Sequence, residues 1–497
     1  MLQRLRRGLP LACAAILIAR PTDLAAQSAS EARREQDTIR SYDGRTMTAE
    51  VLRISASDRR ANPRRTITVA ALRIPTTAQR PGRPILFLMG GPGIPGSVMA
   101  PIPPYFTLFQ RLRELADVVI VDQRGLGRSE PTIDCPVDEP PPRDIFLRRE
   151  RIVQVVRDRV ASCASQFRSR GIDPTSYNTI ESADDIDDLR KALGAEQIDL
   201  LAFSYGSRLA LMYVQRYGNH VGRVALQGVN GPGLVVKRPG PVARKLDRLA
   251  EVLRQDSAWH GPTDLRAAAA AARERLAQDP STVTIADRRT GQQLDLVVGR
   301  EGFDAIVGLN LDDVRLPALL VSVAAQDDRV LARFAEAAWN GLAGGTVGLM
   351  GRAVNCAADR PASRWAAVRS ESTAAPFGNP IDNDFLTDEF CQTVGYAAAP
   401  VEFTGPASSS VPLLLLTGSL DATNPLENAE EVARGFANGV SLEVVNAPHE
   451  ALPQPAVQNV LVDWFRGADV RGRHIAVPPP RLPSVEEAAA PAPQRGR

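Results

Sequence analysis

Short, uninterrupted apolar runs alternate with amphipathic segments along most of the chain. Continuous apolar runs lie at residues 84–89 and 117–122, and further strands are predicted at 198–203, 224–226, 411–416 and 441–445. Apolar runs of this length are typical of strands that are buried on both faces of a parallel sheet. Two earlier β-rich runs, 50–55 and 66–74, are separated by a polar stretch and predict a leading antiparallel pair. The pattern therefore predicts a mostly parallel, eight-stranded sheet.

Helical patterns lie between these strands. Residues 182–193 have the pattern of a helix that Ser182 caps and Gly194 ends. A second helix, 205–217, follows the strand at 198–203 directly. Strands that alternate with helices indicate an α/β fold, in which helices cover the faces of the sheet.

The alternation stops after residue 226 and resumes at residue 411. Between them the sequence predicts amphipathic or Ala-rich helices at 244–255 and 263–278, and one small β-pair. We interpret this stretch as an inserted, mainly helical cap. The predicted divisions are a signal peptide (1–26), a first core part (27–230), the cap (231–405), a second core part (406–467) and a disordered Pro- and Ala-rich tail (468–497).

The N-terminal 26 residues have the pattern of an export signal. A segment with three arginines precedes an apolar stretch, 9–19, and small residues precede Gln27. This stretch is too short to span a bilayer, and no later run reaches the roughly 20 residues required. We therefore expect an exported protein, periplasmic or extracellular, without a transmembrane segment. Lipidation at Cys13 is disfavoured because Pro10 stands where an aliphatic residue is needed.

Composition and charge exclude two classes of partner. With 44% hydrophobic and 23% charged residues, the chain has enough apolar surface to fold as a globule. Its 59 basic and 57 acidic side chains nearly cancel. Because so balanced a chain has no electrostatic footprint for nucleic acid or an anionic membrane, we expect neither as a partner.

Four cysteines follow the export signal: Cys135, Cys163, Cys356 and Cys391. An even number of cysteines in an exported chain suggests disulfides, for which three connectivities exist. The spacing CxxC is absent from the sequence, which argues against zinc, and we expect no metal. We predict the pairing that is local in sequence, Cys135 with Cys163 and Cys356 with Cys391. Four buried thiols are the alternative.

Ser204 lies where the strand at 198–203 passes directly into the helix at 205–217. Its surroundings, Ala202-Phe203-Ser204-Tyr205-Gly206, have small residues at both ends. A sharp strand–turn–helix of this kind holds a serine hydroxyl above the sheet, at the positive end of the helix. We therefore predict Ser204 as a nucleophile. An ordinary helix N-cap is the alternative.

A serine nucleophile needs a base and an acid. Outside the export signal the histidines are His220, His260, His449 and His474. His449 is favoured because it follows the last predicted strand, where a loop can bring it over Ser204. Asp421 follows the preceding strand and can orient the imidazole. Asp463 and Asp384 are competing acids, but neither follows a sheet strand.

A glycine-rich turn, Met89-Gly90-Gly91-Pro92-Gly93, follows the strand at 84–89. Backbone N–H groups in such a turn can stabilise the oxyanion of an attacked carbonyl, with about 2.7–4 kcal/mol from each donor. We predict the N–H groups of Gly91 and Tyr205 as this pair. A phosphate-binding loop is disfavoured because Pro92 lacks an N–H and no GK[ST] follows. We expect no cofactor.

Four motifs occur in the order MGGPG (89–93), DQRGLGRS (122–129), FSYGSRLALMYVQRYG (203–218) and TGSLDATNP (417–425). In this order they resemble the exported tripeptidyl aminopeptidases and the related proline iminopeptidases, which are α/β-hydrolases with a helical cap. The likeness covers roughly residues 50–467 and extends to the placing of the cysteines. It implies that Ser204, Asp421 and His449 are nucleophile, acid and base. It also implies that the cap selects peptides by their free N-terminus.

This sequence departs from the family pattern at three places. Met89 stands where iminopeptidases have His, Ala202 replaces Gly, and Pro448-His449-Glu450 replaces the usual Gly-His. The triad residues themselves are retained, and the departures concern substrate choice.

The sequence thus predicts a capped α/β-hydrolase that cleaves peptide or amide bonds near a free N-terminus through an acyl-enzyme. A carboxylesterase with the same triad is the first alternative, since only the leaving group and the cap differ. A non-catalytic binding protein is the second, but no triad residue is lost. The acidic stretch 382–389 could hold the substrate ammonium. A solvated acidic loop is the favoured interpretation of this stretch, so we assign none of its residues.

Overall fold

The computed structural model describes residues 32–396 and 407–491. The predicted signal peptide, 1–26, lies outside these ranges. The strands are β1 (Arg33–Arg40), β2 (Thr46–Ser57), β3 (Thr66–Ile74), β4 (Ile85–Leu88), β5 (Val118–Asp122), β6 (Asp134–Pro136), β7 (Ile198–Phe203), β8 (Val221–Gln227), β9 (Ser281–Ala286), β10 (Gln293–Val298), β11 (Thr346–Gly348), β12 (Leu413–Gly418), β13 (Gly439–Val445) and β14 (Ile475–Ala476).

The helices follow the same order. They are α1 (Pro103–Leu112), α2 (Arg149–Ser169), α3 (Thr179–Ala192), α4 (Tyr205–Tyr217), α5 (Gly240–Gln255), α6 (Leu265–Gln278), α7 (Arg300–Leu309), α8 (Leu316–Ala324), α9 (Arg329–Ala343), α10 (Leu349–Ala357), α11 (Ala362–Ser372), α12 (Asp388–Val394), α13 (Leu426–Ala433), α14 (Pro455–Arg466) and α15 (Val485–Ala489). A short 3₁₀ helix, Ile381–Leu386, precedes α12.

A ten-stranded sheet forms the centre of the molecule, in the order β1-β2-β3-β5-β4-β7-β8-β12-β13-β14. The pairs from β1 to β5 are antiparallel, and those from β5 to β14 are parallel. Every residue of β4, β5, β7 and β12 is buried, because helices cover both faces of the sheet. The predicted mostly parallel sheet is confirmed, and β7, which ends next to Ser204, lies near its middle.

The sheet has two more strands than the eight predicted. β1 has the sequence RREQDTIR and is mostly exposed, so no apolar pattern marks it. Such an edge strand forms through backbone pairing with β2 alone. β14 is only two residues long and pairs with β13 at the opposite edge.

Part of the C-terminal stretch that was predicted to be a disordered tail is folded. Within residues 468–491, β14 joins the sheet and α15 packs against α8 and α9. Leu482 and Ala488 are buried there. Ser484 and Glu487 form a reciprocal capping box at the start of α15. The prediction of disorder is therefore wrong for these residues, because two buried anchors and a cap offset a Pro- and Ala-rich composition.

Apolar side chains form a core on each face of the sheet. On one face, α1 and α14 contribute Phe109 and Trp464. On the other, α3 and α4 contribute Ile186 and Leu209, and the same apolar cluster continues into helices α5 to α10 and α12. The helices between β8 and β12 are thus anchored on the face that carries α4.

We call the mainly helical stretch between β8 and β12 the cap. In the described part it contains α5 to α12 and the hairpin β9-β10, which confirms the predicted small β-pair. Two disulfides, Cys135–Cys163 and Cys356–Cys391, confirm the predicted local pairing. The first joins β6 to α2, and the second joins α10 to α12. None of the helices within 32–396 and 407–491 is long and apolar enough to cross a membrane.

Candidate active site

Ser204 occupies a strained turn between β7 and α4. Its φ of 53° and ψ of −121° are unusual for a residue other than glycine. A Cβ on Gly206 would lie 2.1 Å from the carbonyl oxygen of Leu88, and one on Gly90 would lie 2.7 Å from the Cβ of Ser204. Glycine is therefore required at both positions for the turn to pack against β4. Ala202 is accommodated because it is a buried residue of β7, paired with Leu88 in the sheet.

Ser204, His449 and Asp421 form a continuous chain of hydrogen bonds. The Nε2 atom of His449 lies 3.0 Å from the Oγ of Ser204, and its Nδ1 lies 2.8 Å from the Oδ2 of Asp421. The Oδ1 of Asp421 accepts hydrogen bonds from the backbone N–H groups of Thr423 and Asn424. The structure thus brings the three predicted residues together in the geometry of a nucleophile, its base and the acid that orients the base.

The competing acids are engaged elsewhere. Asp463 forms an ion pair with Arg473 at 2.6 Å, and Asp384 is paired with Arg149. Among the other histidines, His220 contacts the carbonyl oxygen of Glu196. None of these side chains contacts Ser204 in the described part of the chain.

His449 is held by residues that the sequence analysis missed. The side-chain amide of Gln227 donates to the backbone carbonyl of His449 at 2.6 Å and accepts from the N–H of Ala451. A Cβ on Gly228 would lie 2.8 Å from the Cε1 of His449, so the imidazole packs directly on this glycine. The Phe203 ring lies 5.0 Å from the imidazole, between centroids. Gly228 directly follows β8 and has a positive φ. A glycine just after a predicted strand is the sequence signal that could have suggested this close backbone approach.

The predicted oxyanion donors lie on backbone that adjoins Ser204. Gly91 follows Gly90, which packs against Ser204, and has a φ of 113°. Tyr205 is the first residue of α4, so its N–H lies at the positive end of the helix dipole. Gln123 holds the start of the glycine turn by donating to the carbonyl of Met89 at 3.2 Å. This arrangement supports Gly91 and Tyr205 as the donors, a role that we keep as a proposal.

The motif DQRGLGRS supports this turn rather than supplying a reactive group. Asp122 accepts hydrogen bonds from the N–H and Oγ of Ser97 and from the N–H of Arg128. Arg124 is buried and forms two hydrogen bonds of 2.7 Å with the carboxylate of Asp185 on α3. These contacts fix the loop after the glycine turn onto the sheet.

The cap reaches the site through α10. A Cβ on Gly351 would lie 2.5 Å from the carbonyl oxygen of Pro92, so α10 packs closely on the glycine turn. Further along α10, Asn355 accepts a hydrogen bond from Arg208 of α4. One helix of the cap therefore spans the neighbourhood of Ser204.

A second contact between cap and core involves Lys237, which sequence reasoning also missed. Its Nζ donates to the Oδ1 of Asn424 at 2.7 Å and to the carbonyl of Thr423 at 3.2 Å. These residues hold the carboxylate of Asp421. Burial lowers the pKa of Lys237 to about 8, and the nearby carboxylates of Asp382 and Asp421 act in the opposite direction.

Most of the acidic stretch 382–389 is neutralised by arginines. Asp384, Asp388 and Glu389 pair with Arg149, Arg360 and Arg157, respectively. Asp382 is exposed and forms no ion pair within the described residues. Asp382, Asp388 and Glu389 are nevertheless exposed, which agrees with the interpretation of a solvated acidic stretch, and the ion pairs of Asp388 and Glu389 lie at the surface.

The sequence model of the α/β hydrolase fold matches residues 83–454, most of the chain. The chain belongs to the α/β-hydrolase family. It is 32% identical to the serine protease Hip1 of Mycobacterium tuberculosis over 173 residues, which are 33% of this chain and 32% of that protein. It is 27% identical to the tripeptidyl aminopeptidase of Streptomyces coelicolor over 177 residues, 33% of this chain and 32% of that protein.

The match to these relatives thus spans about a third of their length. Among solved structures, a thermophilic esterase from Thermogutta terrifontis is 15% identical, with a TM-score of 0.37. That comparison covers 84% of this chain and 98% of the esterase.

Proposed function

We propose that this α/β-hydrolase is an exported serine hydrolase that cleaves peptide bonds near a free N-terminus. The observation that carries the proposal is the hydrogen-bond chain from Ser204 through His449 to Asp421. A neutral imidazole within 3.0 Å of a serine hydroxyl can remove its proton as the hydroxyl attacks a carbonyl. The buried carboxylate of Asp421 then stabilises the imidazolium.

The reaction follows from this geometry in two halves. Attack by the Oγ of Ser204 gives a tetrahedral oxyanion, which the N–H groups of Gly91 and Tyr205 stabilise. His449 returns its proton to the leaving amine, which leaves an acyl-enzyme on Ser204. Water, deprotonated by the same imidazole, then releases the acyl group and restores the serine.

Two observations support the finer assignments. The relatives include a serine protease and a tripeptidyl aminopeptidase, which favours peptides as substrates. The N-terminal pattern and the two disulfides favour export, because disulfides persist in oxidising compartments.

A carboxylesterase is the second candidate, and one observation favours it. A substrate ammonium needs a carboxylate partner, since an unpaired, desolvated cation is costly. Three carboxylates of the acidic stretch already have arginine partners. Asp382 is left, but it lies near Lys237, whose positive charge disfavours a second cation there.

Acetylation of the substrate amine distinguishes the two candidates. If the N-terminus is recognised, acetylated peptides should lose at least about a hundredfold in kcat/KM, or roughly 2.7 kcal/mol. Equal turnover of free and acetylated peptides would overturn N-terminal recognition. Turnover of p-nitrophenyl esters but not of peptides would establish the esterase instead. The Ser204→Ala protein serves as the control for contaminating activity.

A further inference from the structure

One arginine of the cap, Arg352, lies on α10 beside the residue that packs on the glycine turn, and its side chain has no polar partner among the described residues. Arg352 directly follows Gly351, the residue through which α10 packs on the glycine turn. Its guanidinium has no hydrogen bond and no ion pair with any residue of 32–396 or 407–491. Arg149, Arg157 and Arg360, by contrast, are paired with carboxylates of the acidic stretch.

Aromatic rings hold this guanidinium in place. Its Cζ lies 4.8 Å from the centroid of Phe385 and 5.9 Å from that of Phe390. The two rings are themselves in edge-to-face contact at 5.3 Å. Stacking occupies the face of a guanidinium and leaves its N–H groups directed outwards in the plane of the group, where they can bind a carboxylate with two parallel bonds.

The local charge balance favours an anion. Asp382 acts electrostatically on both Arg352 and Lys237, so one carboxylate faces two cations. Lys237 already donates to Thr423 and Asn424. Arg352 is half-buried, and burial lowers its pKa, with Asp382 opposing that shift. A partly desolvated cation without acceptors gains more from an added carboxylate than an exposed one does.

We propose that Arg352 binds a carboxylate that the substrate carries near the scissile bond. The site so defined consists of the Arg352 guanidinium, its aromatic support from Phe385 and Phe390, and the glycine turn beneath Gly351. The inference rests on the proposed hydrolase function and specifies its substrate class. The carboxylate can come from an acidic side chain in the acyl part of a peptide or from the free C-terminus of a short leaving peptide.

Matched substrate pairs test this proposal. In one arm the peptides differ by Glu or Gln in the acyl part, and in another by a C-terminal carboxylate or carboxamide. A third arm compares mono-p-nitrophenyl adipate with p-nitrophenyl hexanoate, so that the test does not depend on peptidase activity. We expect the wild-type protein to prefer the carboxylate member by roughly 10- to 100-fold in kcat/KM in at least one arm, as a charge-assisted hydrogen bond would give.

Two variants test whether Arg352 causes the preference for the substrate that carries the carboxylate. We define the ratio as kcat/KM for the carboxylate substrate divided by kcat/KM for its neutral partner. Arg352→Met should reduce this ratio to about 1, and Arg352→Lys should retain part of it because the charge remains. Arg315→Met is the matched control: Arg315 also stacks on a ring of the cap, at 5.0 Å from Phe334, but it is paired with Asp313. It should keep the wild-type ratio. The rate at which a neutral fluorophosphonate labels Ser204 reports whether each variant retains a folded site.

The possible outcomes separate the two proposals. A wild-type ratio of 1 or less in every arm, or a ratio that survives in Arg352→Met, overturns the role of Arg352 while leaving the hydrolase intact. Turnover of esters alone overturns the peptidase but still tests Arg352 in the third arm. Absence of any turnover by the wild-type protein overturns both.

Discussion

Gln227 links Ser204 to His449 through its backbone and its side chain. Its backbone carbonyl accepts the N–H of Ser204 at 2.9 Å, and its side-chain amide donates to the carbonyl of His449 at 2.6 Å. The residue is fully buried at the end of β8. One residue thus fixes the loop of His449 relative to the turn of Ser204, although 222 residues separate it from His449.

Replacing Gln227 with Leu should therefore lower kcat by more than the loss of folded protein alone would explain. The variant leaves the buried N–H of Ala451 without its partner, at a cost of about 1–3 kcal/mol, and removes the donor to the partly buried carbonyl of His449. If this displaces the imidazole, kcat should fall by roughly 10- to 100-fold, since small misplacements of reacting groups are costly. Steady-state kinetics and the rate of fluorophosphonate labelling measure the effect. Asn340→Leu, which removes an amide bonded to β9 in the cap, should leave kcat unchanged.

The assignment of the acid is tested by two substitutions. Asp421→Asn should lower kcat by about 10⁴-fold, because the amide favours the wrong imidazole tautomer while the fold is retained. Asp463→Asn should have little effect on kcat, since Asp463 pairs with the partly exposed Arg473. Ser204→Ala should abolish covalent labelling by a fluorophosphonate. A larger loss in Asp463→Asn than in Asp421→Asn would show that the acid is wrongly assigned.

Ser204, Asp421 and His449 could be predicted because each follows, directly or within a few residues, a strand of the parallel sheet, and the sequence pattern predicts these strands. The residues that hold this site in place could not be predicted from the sequence. Gln227 and Lys237 act through contacts with residues far away in sequence, and nothing in their local pattern distinguishes them. Asn178, rather than the predicted Ser182, caps α3, and the helix begins at Thr179. Either residue can cap a helix in principle, and the tertiary contacts that bury Ser182 decide between them.

Lys237 should make stability depend on pH in the alkaline range. Its pKa is about 8 in the folded protein, below the usual 10.5, so the unfolded chain binds more protons between these values. Stability contributed by this group therefore rises as pH increases from about 8 to 10.5. The groups that face it are Asp382, Asp421, Arg364 and Arg208. The difference in Tm between wild type and Lys237→Met should shift in favour of wild type over this range, and a constant difference would contradict the prediction.

The C-terminal segment that carries Leu482 and α15 should stabilise the cap. Leu482 is 5% exposed, and Arg333 of α9 donates to the carbonyl of Ala489 at 3.0 Å. Because Leu482 belongs to the apolar cluster that continues through the cap, Leu482→Ala should lower the free energy of unfolding by about 2–4 kcal/mol. Glu486→Ala, a change at an exposed position of the same helix, should cost less than about 0.5 kcal/mol. Urea denaturation measures both variants. Equal stabilities for Leu482→Ala and wild type would mean that the Leu482 side chain contributes nothing to the stability of the cap.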